Sequence, residues 1–408
     1  MRLFDLFAGE RVVVGAIRKR KGHGLLARSD ADGIAVDVEQ AHALEQLASG
    51  AGNTALKILA GHSVVDHDSK VVLNGRILRE LAVVLLVAGA LDQLVQVELK
   101  GNDDLVDAHG LARGGAGLLI VEATAVAPEG RITPACLGLW SDANEAALGR
   151  VVEGVRKYSD MPLAIQLGHA GRKASSALPW QGGQLLAPEA GGWPTLGPSA
   201  LPHLPHEPAP RAIDADGLVR IREAFAAAAR RAARIGIDCI ELHGAHGYLL
   251  HQFLSPLSNQ RDDAYGGSLE NRLRFPLEVF KAMRAVWPQD KPMSVRISAH
   301  DWVPGGITPE GAVQIAKAFK AAGADLIDCS SGQVSKLEKP VFGRMYQTPF
   351  ADRIRQEAGI ATMAVGAISE ADHANSIIAA GRADLCAIAR PHLANPAWTL
   401  TEAAPGRA

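Results

Sequence analysis

The segment ELHGAHGYLLHQFLSP, residues 241–256, places two histidines and a tyrosine directly after a short apolar run. His243 and His246 are three positions apart, and Tyr248 follows two positions later. In parallel α/β folds, the side chains that follow a strand lie at the carboxyl edge of the sheet, where binding and catalytic groups collect. The segment therefore predicts a polar site at the end of one strand.

Short apolar runs alternate with longer helical patterns from about residue 109 onward, which predicts βα units and a parallel sheet. The candidate strands are Leu118–Thr124, Leu163–Leu167, Cys239–His243, Met293–Ile297, Leu326–Cys329, Thr362–Val365 and Leu385–Ile388. The clearest candidate helices are Asp214–Ile235, Leu269–Val286, Pro309–Ala322 and Ala371–Ala380. Seven such strands favour an α/β fold of the (β/α)8 TIM-barrel type whose first strand is atypical or missing. A doubly wound sheet is the alternative, but no Gly-rich fingerprint follows a first strand.

Polar residues follow these strands, and the carboxyl ends of barrel strands open onto one face. We therefore expect them to converge on one pocket. They are Gln166, His169, His243, His246, Arg296, Ser330, Ser331, Gly366 and Arg390.

The first hundred residues differ in composition from the rest of the chain. No proline precedes Pro128, and no aromatic residue lies between Phe7 and Trp140, whereas average usage gives about 5% proline. We divide the chain into an atypical segment, 1–107, and a barrel domain, 108–408. The segment is either a small helical extension or a stretch foreign to the barrel domain, through a fusion or a gene-model error. Its run Leu81–Val87 is the best candidate for the missing strand, with a buried helix as an equal alternative.

Charge and cysteine content exclude several classes of function. The formal net charge is −2, which gives no reason to expect nucleic acid or a membrane surface as a partner. No signal peptide is evident and the longest apolar run, Leu81–Leu91, is too short for a bilayer, so we expect a cytoplasmic protein. The four widely spaced cysteines form no C-x-x-C pair, which argues against a disulfide framework, a zinc site or an iron–sulfur cluster.

Six motifs together resemble those of the old yellow enzyme family of FMN-dependent ene reductases, in the family's usual order. They are GLLIVEATAVAPEGRITP (117–134), IQLGHAGRKAS (165–175), ELHGAHGYLLHQFLSPLSNQRDDAYGGSLENRLRF (241–275), SVRIS (294–298), DLIDCSSG (325–332) and AVGAIS (364–369). The resemblance extends over about 110–398. The tail, 349–400, is similar to the reductase half of two-domain salicylyl-CoA 5-hydroxylases and anthraniloyl-CoA monooxygenase/reductases.

The resemblance implies that FMN is bound and that NADPH or NADH supplies the hydride. It implies that His243 and His246 grip the carbonyl oxygen of the substrate and that Tyr248 lies beside them. The flavin contacts that it implies are Ala123, Gln166, Arg296, Ser331, Gly332, Gly366, Ala389 and Arg390. Two features depart from the family pattern: the Pro-Met/Thr segment of the first strand is missing, and Ala389 stands where glycine is usual.

The chemistry of the residues agrees with the resemblance. Hydride addition to an α,β-unsaturated carbonyl compound builds negative charge on the carbonyl oxygen, and two imidazole N–H donors aimed at that oxygen stabilise it. Tyr248 either protonates the α carbon or orients the ligand. Arg296 either stabilises negative charge on the flavin or forms a structural ion pair. Arg172 and Lys173 either face an anionic substrate or order their loop.

The predicted function is therefore hydride transfer from NAD(P)H through FMN to the activated C=C bond of a small enone or of an aromatic-acid-derived CoA thioester. The alternative is a flavin-free barrel remnant that only binds a partner. A barrel aldolase or isomerase would call for a strand-end lysine or paired carboxylates in the pocket, and no lysine follows the candidate strands. A homo-oligomer stays open as an option.

Overall fold

The computed structural model describes residues 110–404 and the backbone of three short strands nearer the N-terminus. These strands are β1 (Ile34–Val36), β2 (Val64–Val65) and β3 (Val71–Leu73), and they form an antiparallel sheet in the order β1-β3-β2. The candidate strand Leu81–Val87 lies outside the described residues.

Seven parallel strands form the main sheet. In chain order the remaining strands are β4 (Leu119–Ala125), β5 (Leu163–Gly168), β6 (Leu196–Gly197), β7 (Arg211–Ala212), β8 (Cys239–Gly244), β9 (Met293–Ser298), β10 (Leu326–Ser330), β11 (Ala361–Val365) and β12 (Leu385–Ala387). The main sheet runs β4-β5-β8-β9-β10-β11-β12, and β6 pairs with β7 separately. All seven predicted strands are confirmed with end shifts of one residue. Over the described residues, the fold is that of a (β/α)8 barrel without its first strand.

Helices connect the strands of the main sheet. They are α1 (Asp142–Arg156), α2 (Ala215–Arg234), α3 (Leu249–Leu254), α4 (Leu269–Arg284), α5 (Pro309–Ala321), α6 (Thr348–Ala358), α7 (Ala371–Ala379), α8 (Arg390–Ala394) and α9 (Trp398–Ala403). Four of them begin at a side-chain cap, in which Ser141, Asp214, Ser268 or Thr308 accepts a backbone N–H three residues on. Such a cap contributes about 1 kcal/mol, so the sequence marks these helix starts. Among the described helices, none is both long and apolar enough to cross a membrane.

Burial differs between the centre and the flanks of the sheet. Every residue of β5, β8 and β10 is buried. By contrast, the first five residues of β4 and all three of β12 are only half-buried. In the described part of the chain, β4 pairs only with β5, and β12 only with β11. The two flanks are therefore the edges that an additional strand would cover in a closed barrel.

Candidate active site

The turn from β8 into α3 brings the three predicted catalytic residues together. The ring centroid of His243 lies 5.1 Å from that of His246 and 5.0 Å from that of Tyr248, with interplanar angles of 89°. His246 and Gly247 both have positive φ, 57° and 69°, which reverses the chain sharply after the strand. The sequence spacing therefore produces a compact cluster of two imidazoles and a phenol.

Both imidazoles are held neutral. Burial lowers the pKa of His243 and of His246 well below its ordinary value, and the charge of Arg296 adds to the effect. His243 Nδ1 accepts the Ala245 N–H at 3.3 Å, so the ring proton is on Nε2. His246 Nε2 shares a 2.6 Å hydrogen bond with Ser330 Oγ, and Nδ1 is its other polar atom. His243 thus offers its Nε2–H to a bound acceptor, and His246 offers a second N–H, from Nδ1, in the tautomer in which the Ser330 hydroxyl donates to Nε2.

A buried layer of side chains fixes Gln166 on the neighbouring strand. Gln166, Glu241 and Ser294 are cross-strand neighbours on β5, β8 and β9. The Gln166 amide donates to Glu241 Oε1 at 2.8 Å, and the Ser294 hydroxyl donates to Glu241 Oε2 at 2.9 Å. The carboxylate therefore sets the orientation of the Gln166 amide.

Arg296 lies two residues further along β9, beside His243 on β8 and Asp328 on β10. Its Nε is 3.1 Å from Asp328 Oδ2, but neither this Nε nor Asp328 Oδ1 makes an aligned hydrogen bond. Burial raises the pKa of Asp328 to about 7, and the charge of Arg296 opposes that rise. The structural ion pair therefore exists, yet it leaves the guanidinium under-satisfied, which suits an electron-rich ligand edge.

The ends of β10 and β11 meet around Gln347. Ser331 Oγ donates to Gln347 Oε1 at 2.6 Å, and Gln347 Nε2 donates to the Val365 carbonyl at 3.1 Å. Gly366 has φ 103°, and a Cβ there would lie 2.4 Å from Gln347 Nε2. Gly332 also has positive φ, 74°. The predicted contacts Ser331 and Gly366 therefore meet around Gln347, and the positive φ at Gly332 and Gly366 is a backbone conformation that favours glycine.

Ala389 and Arg390 lie after β12, where α8 begins, and both are exposed.

Ala123 lies in a β-bulge of β4, because the register with β5 shifts between Val121 and Thr124. Bulges re-aim side chains next to functional sites. Ala123 lines a small cavity together with His169, His243 and Tyr248.

His169 is a buried member of this cavity wall. Burial lowers its pKa to about 4, and the nearby Glu129 carboxylate opposes the shift. Its Nδ1 accepts the Gly171 N–H at 3.0 Å, whereas its Nε2 has no hydrogen-bond partner. An orphaned, neutral imidazole nitrogen in the wall is a polar contact for a bound molecule.

Arg172 and Lys173 order the loop, which decides between the two alternatives left open by the sequence. The Arg172 guanidinium donates to carbonyl oxygens of Leu201, Pro202 and Val334 at 2.7–3.3 Å. Lys173 Nζ donates to His246 O at 2.8 Å and to Gln333 O at 3.3 Å. The same Nζ lies 5.0 Å above the Tyr248 ring.

Sequence reasoning missed two fully buried polar residues near the site, His251 and Asp301, and the bridging role of Gln347. His251 Nε2 lies 2.8 Å from Asp301 Oδ1. The sequence did contain a sign of this pair. His251 is a third histidine within residues 241–256, and Asp301 follows strand β9. No group of three or more metal-ligating side chains occurs within the described residues.

The structure thus brings a neutral histidine pair at one strand end together with a fixed glutamine and an arginine on the neighbouring strands, which is the arrangement that the sequence predicts for a flavin oxidoreductase. The model of the NADH:flavin oxidoreductase / NADH oxidase family matches residues 99–406. The chain belongs to this family, the old yellow enzymes, and its cofactors are FMN with NADPH or NADH. It is an NAD(P)H-dependent flavin oxidoreductase, as the sequence predicted.

Relatives support this membership. The NADPH dehydrogenase of Geobacillus sp. (strain WCH70) is 46% identical over 287 residues, which cover 70% of this chain and 79% of that protein. The NADPH dehydrogenase of Clostridium acetobutylicum is 43% identical over 291 residues, 71% of this chain and 81% of that protein. Among solved structures, morphinone reductase matches with a TM-score of 0.59 and 29% identity, over 73% of this chain and 81% of the other. The closer likeness to CoA-ester reductase halves stays a prediction.

Proposed function

We propose that the chain reduces the activated C=C bond of an α,β-unsaturated carbonyl compound with hydride from NADPH or NADH. One observation carries the proposal: two neutral imidazoles, His243 buried and His246 half-buried, lie 5.1 Å apart, and both offer an N–H to a shared acceptor when Ser330 donates to His246 Nε2. Donors that are fixed before reaction at the position of a developing oxyanion are among the largest single contributions to catalysis.

In this proposal, His243 and His246 bind the carbonyl oxygen of the substrate. The charge that develops there meets donors in a site from which water is excluded by burial. Tyr248, 5.0 Å from His243, delivers the proton to the α carbon. Lys173 holds the turn through its bond to the His246 carbonyl.

Gln166 and Arg296 would hold the isoalloxazine edge of FMN, and Ala123 would pack beside it. Ser331, Gly332, Gly366, Ala389 and Arg390 form the part of the wall that receives the phosphate end. When bound and reduced, the flavin supplies hydride at N5. The fixed Gln166 amide, the under-satisfied Arg296 guanidinium and the orphaned His169 Nε2 support this fit.

The substrate class is a small enone, and a CoA thioester of a dearomatised aromatic acid is the finer candidate. A segment that follows β10 favours the larger candidate, because it combines exposed apolar and basic side chains. Leu337, Val341 and Phe342 are 69–76% exposed. Lys336, Lys339 and Arg344 lie among them. Such a segment suits a long, anionic acyl carrier.

The test compares cyclohex-2-enone with an α,β-unsaturated acyl-CoA and the free acid of the same acyl group, under anaerobic stopped-flow conditions. We expect flavin reoxidation by the enone, and a higher kcat/KM for the thioester than for the free acid. Equal kcat/KM values for the thioester and the free acid would rule out a CoA thioester as the preferred substrate. A purified chain that carries no flavin and turns over no substrate would favour the binding-protein alternative instead.

A further inference from the structure

His251 and Asp301 form a buried pair outside the proposed catalytic trio. Both side chains have no solvent exposure, and His251 Nε2 lies 2.8 Å from Asp301 Oδ1. The Gly247 N–H donates to His251 Nδ1 at 2.8 Å. Since Nδ1 accepts a hydrogen bond, the proton of the neutral ring must be on Nε2, where it is donated to the carboxylate. The two contacts therefore select one tautomer of His251.

The carboxylate of Asp301 is itself fixed. Its Oδ2 accepts the Ser255 hydroxyl at 2.7 Å and the Ile307 N–H at 2.8 Å. Burial opposes ionisation, yet His251 and these hydrogen bonds hold the pKa of Asp301 below its ordinary value. All three groups that contact this side chain are hydrogen-bond donors. An ionised carboxylate, which can only accept hydrogen bonds, satisfies all of them.

Gly247, the residue that His251 binds, separates the proposed catalytic residues His246 and Tyr248. His246 adopts φ 57°, a left-handed conformation that residues with a Cβ rarely adopt without support. A Cβ on Gly247 would lie 2.2 Å from Gln333 O, so the turn is packed tightly. The Gln252 side chain donates to Gly247 O at 2.7 Å, so both polar backbone groups of Gly247 are held from α3.

We propose that Asp301 and His251 are positioning residues, which place His246 and Tyr248 through the Gly247 N–H. Asp301 holds the imidazole in the tautomer whose Nδ1 is an acceptor. His251 then pins the unfavourable turn between the two catalytic side chains. The catalytic consequence rests on the proposed function, whereas the effect on the turn does not.

The first test is Asp301→Asn. If the asparagine oxygen faces the Ile307 N–H, its NH2 group faces His251 Nε2. The imidazole proton then moves to Nδ1, where it meets the Gly247 N–H. We expect ¹⁵N NMR of histidine-labelled protein to show His251 protonated on Nε2 in the wild type and on Nδ1 in the variant, with shifted His246 resonances. Because misplacement of about 1 Å can cost about 10²-fold, we expect kcat with cyclohex-2-enone to fall by about that factor.

A pair of variants at position 251 separates the hydrogen bond from ring packing. His251→Asn keeps an acceptor near the Nδ1 position, whereas His251→Phe keeps the ring and removes the acceptor. We expect the asparagine variant to retain more activity and a more native His246 spectrum than the phenylalanine variant. Phe280→Leu, a core substitution on α4, is the control for a general loss of stability.

Three results would overturn the inference. They are an unchanged His251 tautomer and His246 spectrum in Asp301→Asn, equal losses in the asparagine and phenylalanine variants, or an equal loss of activity in Phe280→Leu at matched thermal stability. A wild-type chain that reduces no enone defeats the proposed function, and the NMR spectra still decide whether His251 positions the turn.

Discussion

The central strands and the flanking strands of the main sheet differ in burial and in the hydrogen bonds made at their ends. At the ends of β8 and β10, predicted site residues have hydrogen-bonded neighbours, as His246 has Ser330 and Ser331 has Gln347. At the flanks, β4 and β12 are half-buried, and the Ala389–Arg390 turn after β12 is exposed. Within the described residues, the predicted substrate contacts thus lie among buried strands, while the predicted phosphate contacts Ala389 and Arg390 follow a strand that pairs on one side only.

This difference indicates that turnover and cofactor affinity depend on separate parts of the molecule. The hydrogen bonds that hold the histidine turn come from central strands and from α3, although β4 lines the same cavity as His243 and Tyr248. In the proposed function, FMN contacts lie both at the centre, at Gln166 and Arg296, and at the flank, at Ala389 and Arg390. Variants of the histidine turn should therefore change rates without releasing FMN, and changes at the flanks should lower FMN affinity.

The largest expected effect follows replacement of both histidines. Losing one preorganised donor costs about 10²–10³ in rate, so we expect His243→Ala with His246→Ala to slow enone reduction by at least about 10³-fold. FMN content should stay at the wild-type level. Stopped-flow reoxidation of the reduced flavin by cyclohex-2-enone measures the rate.

His373→Ala is the matched control, since His373 is a buried histidine on α7 outside the site. It should reoxidise at the wild-type rate. Unchanged reoxidation in the double variant would remove the histidines from the mechanism, and loss of FMN from that variant would contradict the separation of centre and flank.

Tyr248→Phe should have the next largest effect. The ring and its packing against His243 are retained, so the reductive half-reaction with NADPH should keep its rate. If the hydroxyl delivers the α proton, the oxidative half-reaction slows by about 10²-fold, the lower end of the range for general acid catalysis. Tyr265→Phe, which loses a phenol outside the site, is the control. Equal oxidative rates for wild type and Tyr248→Phe would leave Tyr248 as an orienting group.

The sequence predicted the centre of the molecule well because strand periodicity and strand-end polarity are local signals. The run Cys239–His243 was predicted as a strand and is observed as Cys239–Gly244. The convergence of Gln166 and Arg296 with the histidines followed from barrel geometry alone, since parallel strands end on one face.

The bonds that support the site could not be predicted in the same way. His251 and Asp301 are 50 positions apart and meet only in the folded chain. Gln347 reaches the site from the segment before α6, and no pattern in the sequence pairs it with Ser331. The bulge that places Ala123 depends on how β4 registers with β5, which one strand alone does not specify.

The labelling rates of individual cysteines measure how readily the flank strand β12 opens compared with a central strand. Cys386 lies on β12 and is half-buried, with its pKa raised to about 11 by burial. Cys329 lies on β10 and is fully buried, with burial raising its pKa further. Openings at an edge need less free energy than openings of the core. We expect a maleimide to label Cys386 at least about tenfold faster than Cys329, because each 1.4 kcal/mol of opening free energy changes the rate about tenfold.

Mass spectrometry of peptides after timed labelling measures both rates in one sample. Cys239 on β8 serves as a second central reference, since it is also fully buried. Equal labelling of Cys386 and the two central cysteines would show that β12 is as protected as the centre.

The smallest expected effect concerns FMN itself. The family's Pro-Met/Thr segment beneath the flavin is missing from the sequence, and each lost hydrogen bond of ordinary strength contributes about 1 kcal/mol, or about fivefold in affinity. We expect substoichiometric FMN after gel filtration, while the rate per bound flavin remains normal.

A chimera with an ordinary family first strand in place of residues 1–107 should restore one FMN per chain and slow the labelling of Cys386. In a closed barrel the added strand would pair with β4 and β12, whereas the histidine turn follows β8 in the middle of the sheet, so we expect enone reduction per flavin not to change. If the unmodified chain retains FMN as tightly as the chimera does, the half-buried flanks are not what limits cofactor binding, and the phosphate wall formed by β10 and β11 is sufficient.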